Sequence, residues 1–471
     1  VLSRSKAKNC VMNKIFITAI VLFIVVSCKN TNINKLSDEE IINKIFITAE
    51  EGYESYNNLK YLTDHFPKRL ACYPQGIEAA KWTKTIMDQL NLDTTFLQAA
   101  QVMNWERGNI EIGEIRNNKQ VITVNVCALG RGVSTGEEGI EGQLIEVKSL
   151  EELIQTPQDK IKGKIVFFNQ AMNPELKNTF QAYGEAAGQR FVGPIMAAEK
   201  GAIGTVIRSL TTSIDTFPHT GTTRKPENEP TVPAVSIATK HANLLSRLIK
   251  QNPDLTFFFK TNCKNKPDTI TYNAIGEIKG SEFPDEYIIV GGHLDSWDNS
   301  PGAHDDGGGC MQSIEVLRIF KKIGYKPKHS IRAVMYMDEE ISQGGGRAYA
   351  EQAKIKGEKH IFAIESDRGV TQPQGFSIDA DQQIIDKINS WSYLFTPYEI
   401  NTFVKGGGGV DIGPLKGQET ALSGLLTDPT HYFDWHHCAN DTFDKINRSE
   451  MQKGAATMAA LIYLIDKYGL E

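Results

Sequence analysis

The stretch "EYIIVGGHLDSWDNSPGAHDDGGGCMQSIEVLRIFKKIG", residues 286–324, decides the fold. It opens with the apolar run "EYIIVGG", which ends at His293 and reads as a buried strand. It closes with a segment in which Met311, Ile314, Leu317 and Phe320 recur at helical spacing. Downstream, "IRAVMYM" is a second apolar strand running into Asp338-Glu339-Glu340. Strand, helix, strand in this order predicts an α/β fold with a mainly parallel sheet flanked by helices. In such sheets ligands gather beyond the carboxyl ends of the strands. Between strand and helix, residues 291–309 carry two histidines, four aspartates and six glycines in nineteen positions, so the chemistry is expected at this strand end.

Partners for that segment occur elsewhere in the chain. His293 and Asp295 follow the first strand, Asp305 comes twelve residues after His293, and Glu339 and Glu340 follow the second strand. Asp367 lies in "ESDRG" and His437 in "HHCANDT". Any one of these would suit a solvated loop; the set is more than a surface needs. Oxygen and imidazole donors without thiolate suit zinc, with cobalt or manganese as substitutes, and a carboxylate can bridge two ions through its two oxygens. Two close metals would acidify a water and polarise a carbonyl, and the adjacent glutamates provide one ligand and one base. Glycines let the backbone crowd close to ions.

The rest of the chain sets the frame. At 471 residues it exceeds what a single core usually supports, and a second packed unit or an insertion is expected. A net charge of −6, with no basic stripe or aromatic RNA-reading motif, argues against nucleic acid. "MNKIFITAIVLFIVVSCKN", residues 12–30, has the layout of a secretory signal, with Ile15–Val26 too short to span a bilayer comfortably. "VVSC" resembles a bacterial lipobox, making Cys28 the lipidation site and first mature residue, with a bacterial membrane as partner and residues 1–11 upstream of the expected start. Cys72, Cys127, Cys263, Cys310 and Cys438 are scattered and form no CxxC pair, so neither a disulfide scaffold nor a cysteine zinc site is indicated.

Three stretches follow the signal. A helical pattern runs from Ser37 to about Gln98 and opens on the capping box Ser37–Glu40. Short strands and helices fill about 125–263, interrupted by the exposed run "TRKPENEPTVP". The α/β stretch occupies 264–471, and its last helix is expected to start from a second capping box, Ser449–Gln452. The expected divisions are therefore 1–28, 29–124, 125–263 and 264–471. "KGGGGVDIGPL" lacks the Lys-Ser/Thr of a phosphate loop and reads as a pocket edge that brings Asp411 toward substrate.

Together "GGHLDSWD", "GAHDDGGG", "DEE", "GGGRAYAE", "ESDRG" and "HHCANDT" resemble, in order and spacing, metallopeptidase family 28, the co-catalytic zinc exopeptidases, and within it the carboxypeptidase Q group. The resemblance implies a zinc exopeptidase fold with an inserted α+β protease-associated domain at 125–263. It implies that Asp305 bridges two zinc ions, with His437 and Glu340 completing one site and His293 and Asp367 the other. Glu339 becomes the general base. Asp295 and Asp441 become partners that orient the ligand rings, although loop capping would also account for them. A cis peptide at Asp305–Asp306, short peptide substrates and a homodimer are implied as well. His304, His436 and Asp411 are assigned to the pocket wall rather than to the metals. "NSPGAH", residues 299–304, departs from the family pattern and leaves the shape of the pocket mouth open. The expected activity is hydrolysis of dipeptides with free ends. An aminopeptidase acting on longer chains and a catalytically dead receptor-like ectodomain are the alternatives.

Overall fold

The computed structural model describes residues 36–117, 120–224 and 230–470. Cys28 and the apolar run before it lie outside the described residues, as does the middle of "TRKPENEPTVP".

Two eight-stranded sheets organise the chain. In the first, His329–Tyr336, Phe283–His293, Lys359–Glu365 and Ala421–Thr427 lie side by side and parallel. Antiparallel pairings flank them, with Thr94–Glu106 and Lys264–Ile278 on one side and Pro373–Asp379 on the other. The helix Gly308–Ile323 carries the chain from Phe283–His293 to its parallel neighbour, and Gly344–Lys356 makes the next crossover. Strand His329–Tyr336 is buried at every position, as expected where helices cover both faces of a parallel sheet.

Helix Gly308–Ile323 is buried almost all round, more than its apolar stripe predicts. It is sandwiched between the sheet and the helices Asp38–Glu50 and Arg448–Tyr468, so its polar side chains must find partners inside. Gln312 donates to the Met451 carbonyl and accepts from Ser366, and Glu315 pairs with Arg318 at 2.6 Å.

The Ser37–Glu40 capping box forms as expected. The second one does not: Asn447, two residues before Ser449, caps the last helix by accepting from the Ser449 and Glu450 amides. Ser449 instead donates to Glu50, and Gln452 turns inward to Ser55 and Gly52.

The helical stretch also ends sooner than its pattern suggests. Helices stop at Asp88, and Thr94–Glu106 is a long strand paired antiparallel with Lys264–Ile278. The second sheet already includes Glu111–Asn117 and Gln120–Thr123, so the insertion leaves the first sheet near residue 107 rather than 125. Its entry and exit are the two long paired strands, a relation between distant segments that local periodicity does not register. Within it, Ile140–Val147, Ile165–Phe168, Gly204–Arg208 and Ala234–Ile237 run parallel, with helix Thr239–Gln251 following the last.

Candidate metal centre

Four neighbouring parallel strands end at one edge of the first sheet, and the residue types singled out above sit just past those ends. His293 is the last residue of its strand. Glu339 and Glu340 follow strand His329–Tyr336 across Asp338, whose φ of 73° turns the chain sharply. Asp367 lies two residues beyond Lys359–Glu365. His437, at φ 62°, follows the short helix Tyr432–Trp435 beyond Ala421–Thr427. Asp305 comes from the irregular turn Ala303–Gly307 ahead of helix Gly308–Ile323, and its peptide bond to Asp306 is cis.

The side chains converge on Asp305. His293 Nε2 lies 3.3 Å from Asp305 Oδ1 and 3.5 Å from Asp367 Oδ1. His437 Nε2 lies 3.4 Å from Asp305 Oδ2 and 3.1 Å from Glu340 Oε2. One carboxylate thus presents its two oxygens to two different imidazoles. Donors that share a tetrahedral zinc at bond lengths of about 2.0–2.1 Å are about 3.4 Å apart, which is the spacing found. Asp305 Oδ2 and Glu340 Oε1 are buried and have no hydrogen-bond partner in the protein, as metal-ligating oxygens would. Burial, then the ring of His436, pushes His437 well down, leaving the neutral imidazole that ligates metals. Burial and the Asp305 carboxylate push Glu340 well up, a repulsion that a bound dication would reverse. Burial works against a charge on His293, but the Asp367 and Asp305 carboxylates prevail and push it well up, a place for positive charge that a bound dication would take. The donor set fits zinc.

The partners of the cluster differ in part from expectation. His293 Nδ1 donates to the backbone carbonyl of Asp295 at 3.0 Å, which leaves Nε2 as its free lone pair. The Asp295 carboxylate instead accepts from the amides of Asp338 and Glu339, at 2.8 and 3.3 Å, and so holds the turn that presents Glu339. Asp441 does not reach the His437 ring; it accepts from the amides of His304 and Asp305, at 2.8 and 3.1 Å, and fixes the turn carrying Asp305. Asp306, which the motif did not single out as a partner, accepts from the amides of His293 and Gly309. The buried Arg69 donates to the carbonyls of Leu294, Pro301 and Gly302, pinning the loop between the two motifs. His304 is not on the pocket wall: it lies beneath it, stacked on Trp435 at 4.4 Å with Nδ1 accepting from the Val370 amide. Asp411 is likewise buried behind the wall, and the neighbouring Gly408, Gly409 and Val410 face the cavity. His436 does line it.

Residues 273–462 match the model of peptidase family M28. The chain is 30% identical to carboxypeptidase Q of Bos taurus over 430 residues, covering 91% of this chain and 88% of that one. The chain belongs to peptidase family M28. With that membership it is a zinc-dependent metallopeptidase. A peptidase M28 precursor from Shewanella amazonensis superposes with a TM-score of 0.88 at 28% identity, over 92% of this chain and 98% of that one. A zinc aminopeptidase from Bacillus subtilis shares the fold at a TM-score of 0.63 and 18% identity, over 87% and 94% of the two chains.

In this M28 peptidase the cluster opens into a cavity of about 530 Å³. Glu339 lines it, and among the described residues its carboxylate takes no hydrogen bond from the protein. Burial, reinforced by Asp367 and offset in part by His293, pushes the Glu339 carboxyl well up. Glu365, buried beside the cavity, is held by the Val410 and Ile412 amides and raised to about 7 by burial and then Asp367. The remaining wall comes from the insertion, which sequence reasoning left without a role. Phe180 and Tyr183, on helix Thr179–Ala186, stack against Tyr432 and Phe433 at 5.1 and 4.6 Å. His219 meets the His436 carbonyl through Nδ1 at 2.7 Å, and the Thr220 carbonyl faces His437 Nδ1 at 3.4 Å. Two of these contacts use backbone atoms, for which no side-chain signal exists.

Proposed function

We propose that this M28 peptidase holds two zinc ions across Asp305, one with His293 and Asp367 and one with His437 and Glu340, and hydrolyses dipeptides with free ends. The observation that carries the ion count is the presentation of the two Asp305 oxygens to two separate histidines, at 3.3 and 3.4 Å. Zinc bound there would polarise the scissile carbonyl and acidify the attacking water.

The chain's own residues do the rest. Glu339 takes the proton of that water on its free carboxylate and passes it to the departing amine. Asp295 is a positioning residue, since its carboxylate accepts from the amides that aim Glu339 and its carbonyl from the His293 ring. Asp441 and Asp306 hold the backbone of Asp305 and His293 in register. The cavity, walled by catalytic loops on one side and insertion aromatics on the other, favours a short substrate over a long chain. The similarity to carboxypeptidase Q supports reading of the carboxyl end. An intact Glu339 beside a full donor set counts against a dead receptor-like site.

The test uses residues 29–471 with zinc on one dipeptide in free, N-acetylated and C-amidated forms. Cleavage of the free form alone is expected. Cleavage that survives amidation but not acetylation would make the protein an aminopeptidase.

The same reading places the protein outside the cytoplasm, tethered by lipid on Cys28. Its support is the run Ile15–Val26 before Ser27-Cys28. An intact mass of the membrane form that includes residues 12–27 would overturn the tether.

A further inference from the structure

Asp298, the last residue of "GGHLDSWD", does not line the cavity. It pairs instead with Arg107, at the point where the chain leaves the first sheet for the insertion, and both side chains are buried. Arg107 Nε donates to Asp298 Oδ1 at 2.8 Å, and Nη2 lies 2.7 Å from the same oxygen. The remaining bonds of the guanidinium reach into the insertion. Nη1 donates to the Ala128 carbonyl at 2.5 Å and to Glu111 at 3.2 Å, and Nη2 donates to the Thr220 hydroxyl at 3.3 Å. A planar, permanently charged fork can hold acceptors on several sides at once, and this one ties the loop after His293 to the insertion.

Thr220 carries the tie on to the metal cluster. Its hydroxyl, held by Arg107, donates to the Ala128 carbonyl at 2.9 Å. Its amide donates to the His437 carbonyl at 2.9 Å, and its carbonyl, which also accepts from Arg190 at 3.1 Å, faces His437 Nδ1 at 3.4 Å. One fully buried residue thus grips both the backbone and the ring of His437. A carbonyl on the far nitrogen of a ligating imidazole fixes its tautomer and its aim. The joint around this grip is tight: a Cβ on Gly130 would stand 2.2 Å from Trp297 Cη2, and the Trp297 ring lies 5.6 Å from that of His437. The other imidazole is held locally, His293 Nδ1 meeting the carbonyl of Asp295 two residues along its own loop.

We infer that Arg107 is a positioning residue for the zinc ion of His437 and Glu340, acting through Thr220, and that the ion of His293 and Asp367 is independent of it. The inference rests on the two-zinc reading above. One metal site is then built by the first sheet alone, whereas the other is completed only when the insertion is docked. The Arg107–Asp298 pair is the fastener of that docking, and the Thr220 hydroxyl is the part of it nearest the ligand.

The experiment measures zinc bound per chain against graded chelator for wild type, Thr220→Val, Thr220→Ser and Arg107→Lys, using residues 29–471, with peptide hydrolysis followed in parallel. Wild type should hold two ions. Thr220→Val removes the hydroxyl, and Arg107→Lys keeps the charge beside Asp298 but not the fork. In both, one ion should be held as tightly as in wild type and the other roughly 10- to 100-fold more weakly. Their kcat should fall as the weaker ion leaves and return on added zinc, with KM for the peptide unchanged. Thr220→Ser, which keeps the hydroxyl, should behave as wild type. If Arg107→Lys does not fold, the two Thr220 variants decide. A two-ion wild type whose Thr220→Val loses both ions equally, or neither, overturns the role of Arg107 and Thr220 while leaving the two-zinc reading standing. A wild type that holds a single ion overturns both.

Discussion

The two sheets of this peptidase contribute to one cavity in different ways. The first supplies acidic and imidazole side chains from the ends of four parallel strands: His293, Glu339, Glu340, Asp367 and His437. The second supplies mostly backbone and packing: the Thr220 carbonyl, the ring of His219, the aromatic faces of Phe180 and Tyr183, and one buried cation in Arg190. Chemistry is concentrated in the first because a parallel sheet brings its loops to one edge without further design. Much of the cavity's shape is left to the second. A catalytic centre can thus be conspicuous in sequence while the wall that faces it is not.

The largest expected effect removes the group on which the first sheet's residues converge. Asp305→Ala should lose zinc and lower kcat/KM by about four decades or more, as read by metal analysis and peptide hydrolysis. A variant that keeps zinc and most of its activity would break the contrast at its centre. Next is Glu339→Gln, which should retain zinc and lose about two to four decades of turnover. Near wild-type turnover would remove Glu339 as the base.

The second sheet's contribution is tested by His219→Ala, which frees the His436 carbonyl and loosens the backbone before His437. A loss of about 10- to 100-fold in activity or zinc affinity is expected, the range for groups that support ligands. No change in either would reduce the insertion to a cover.

The smallest effect concerns a part of the first sheet's surroundings that takes no part in the cavity. Asp38, at the start of the first helix, accepts from Lys467, Tyr463 and Tyr468 on the last one, at 2.6 Å each. Burial works against its charge, but these hydrogen bonds prevail and lower its carboxyl below the ordinary 3.8. Asp38→Asn should cost about 1–2 kcal/mol near neutral pH and leave kcat unchanged. A depressed carboxyl stabilises the fold above its unfolded pKa and ceases to do so as pH falls through the folded one. The difference in unfolding free energy should therefore shrink on acidification below about pH 4. A difference that persists at lower pH would mean the effect is not electrostatic.

How much was legible follows the same division. The strands ending at His293 and before Asp338 declared themselves as continuous apolar runs, and the donors past them as spaced acids and imidazoles. Thr94–Glu106 did not, because what makes it a strand is pairing with Lys264–Ile278 far along the chain. Asn447 outcompeted Ser449 as the last helix's cap because Ser449 found Glu50 on another helix, a tertiary choice. Asp295 and Asp441 were found by proximity in sequence to the ligands, yet their carboxylates take hydrogen bonds from backbone amides rather than from rings. Arg190 left no motif: one arginine among many becomes notable only when burial shows that it has no carboxylate partner among the described residues.

The most direct test of the account is to locate the metals themselves by anomalous diffraction at the zinc edge on crystals of residues 29–471. The account predicts two peaks on either side of the Asp305 carboxylate, one touching His293 and Asp367 and the other His437 and Glu340. A single peak, or one held by Asp306 or His436 in place of these residues, would contradict it.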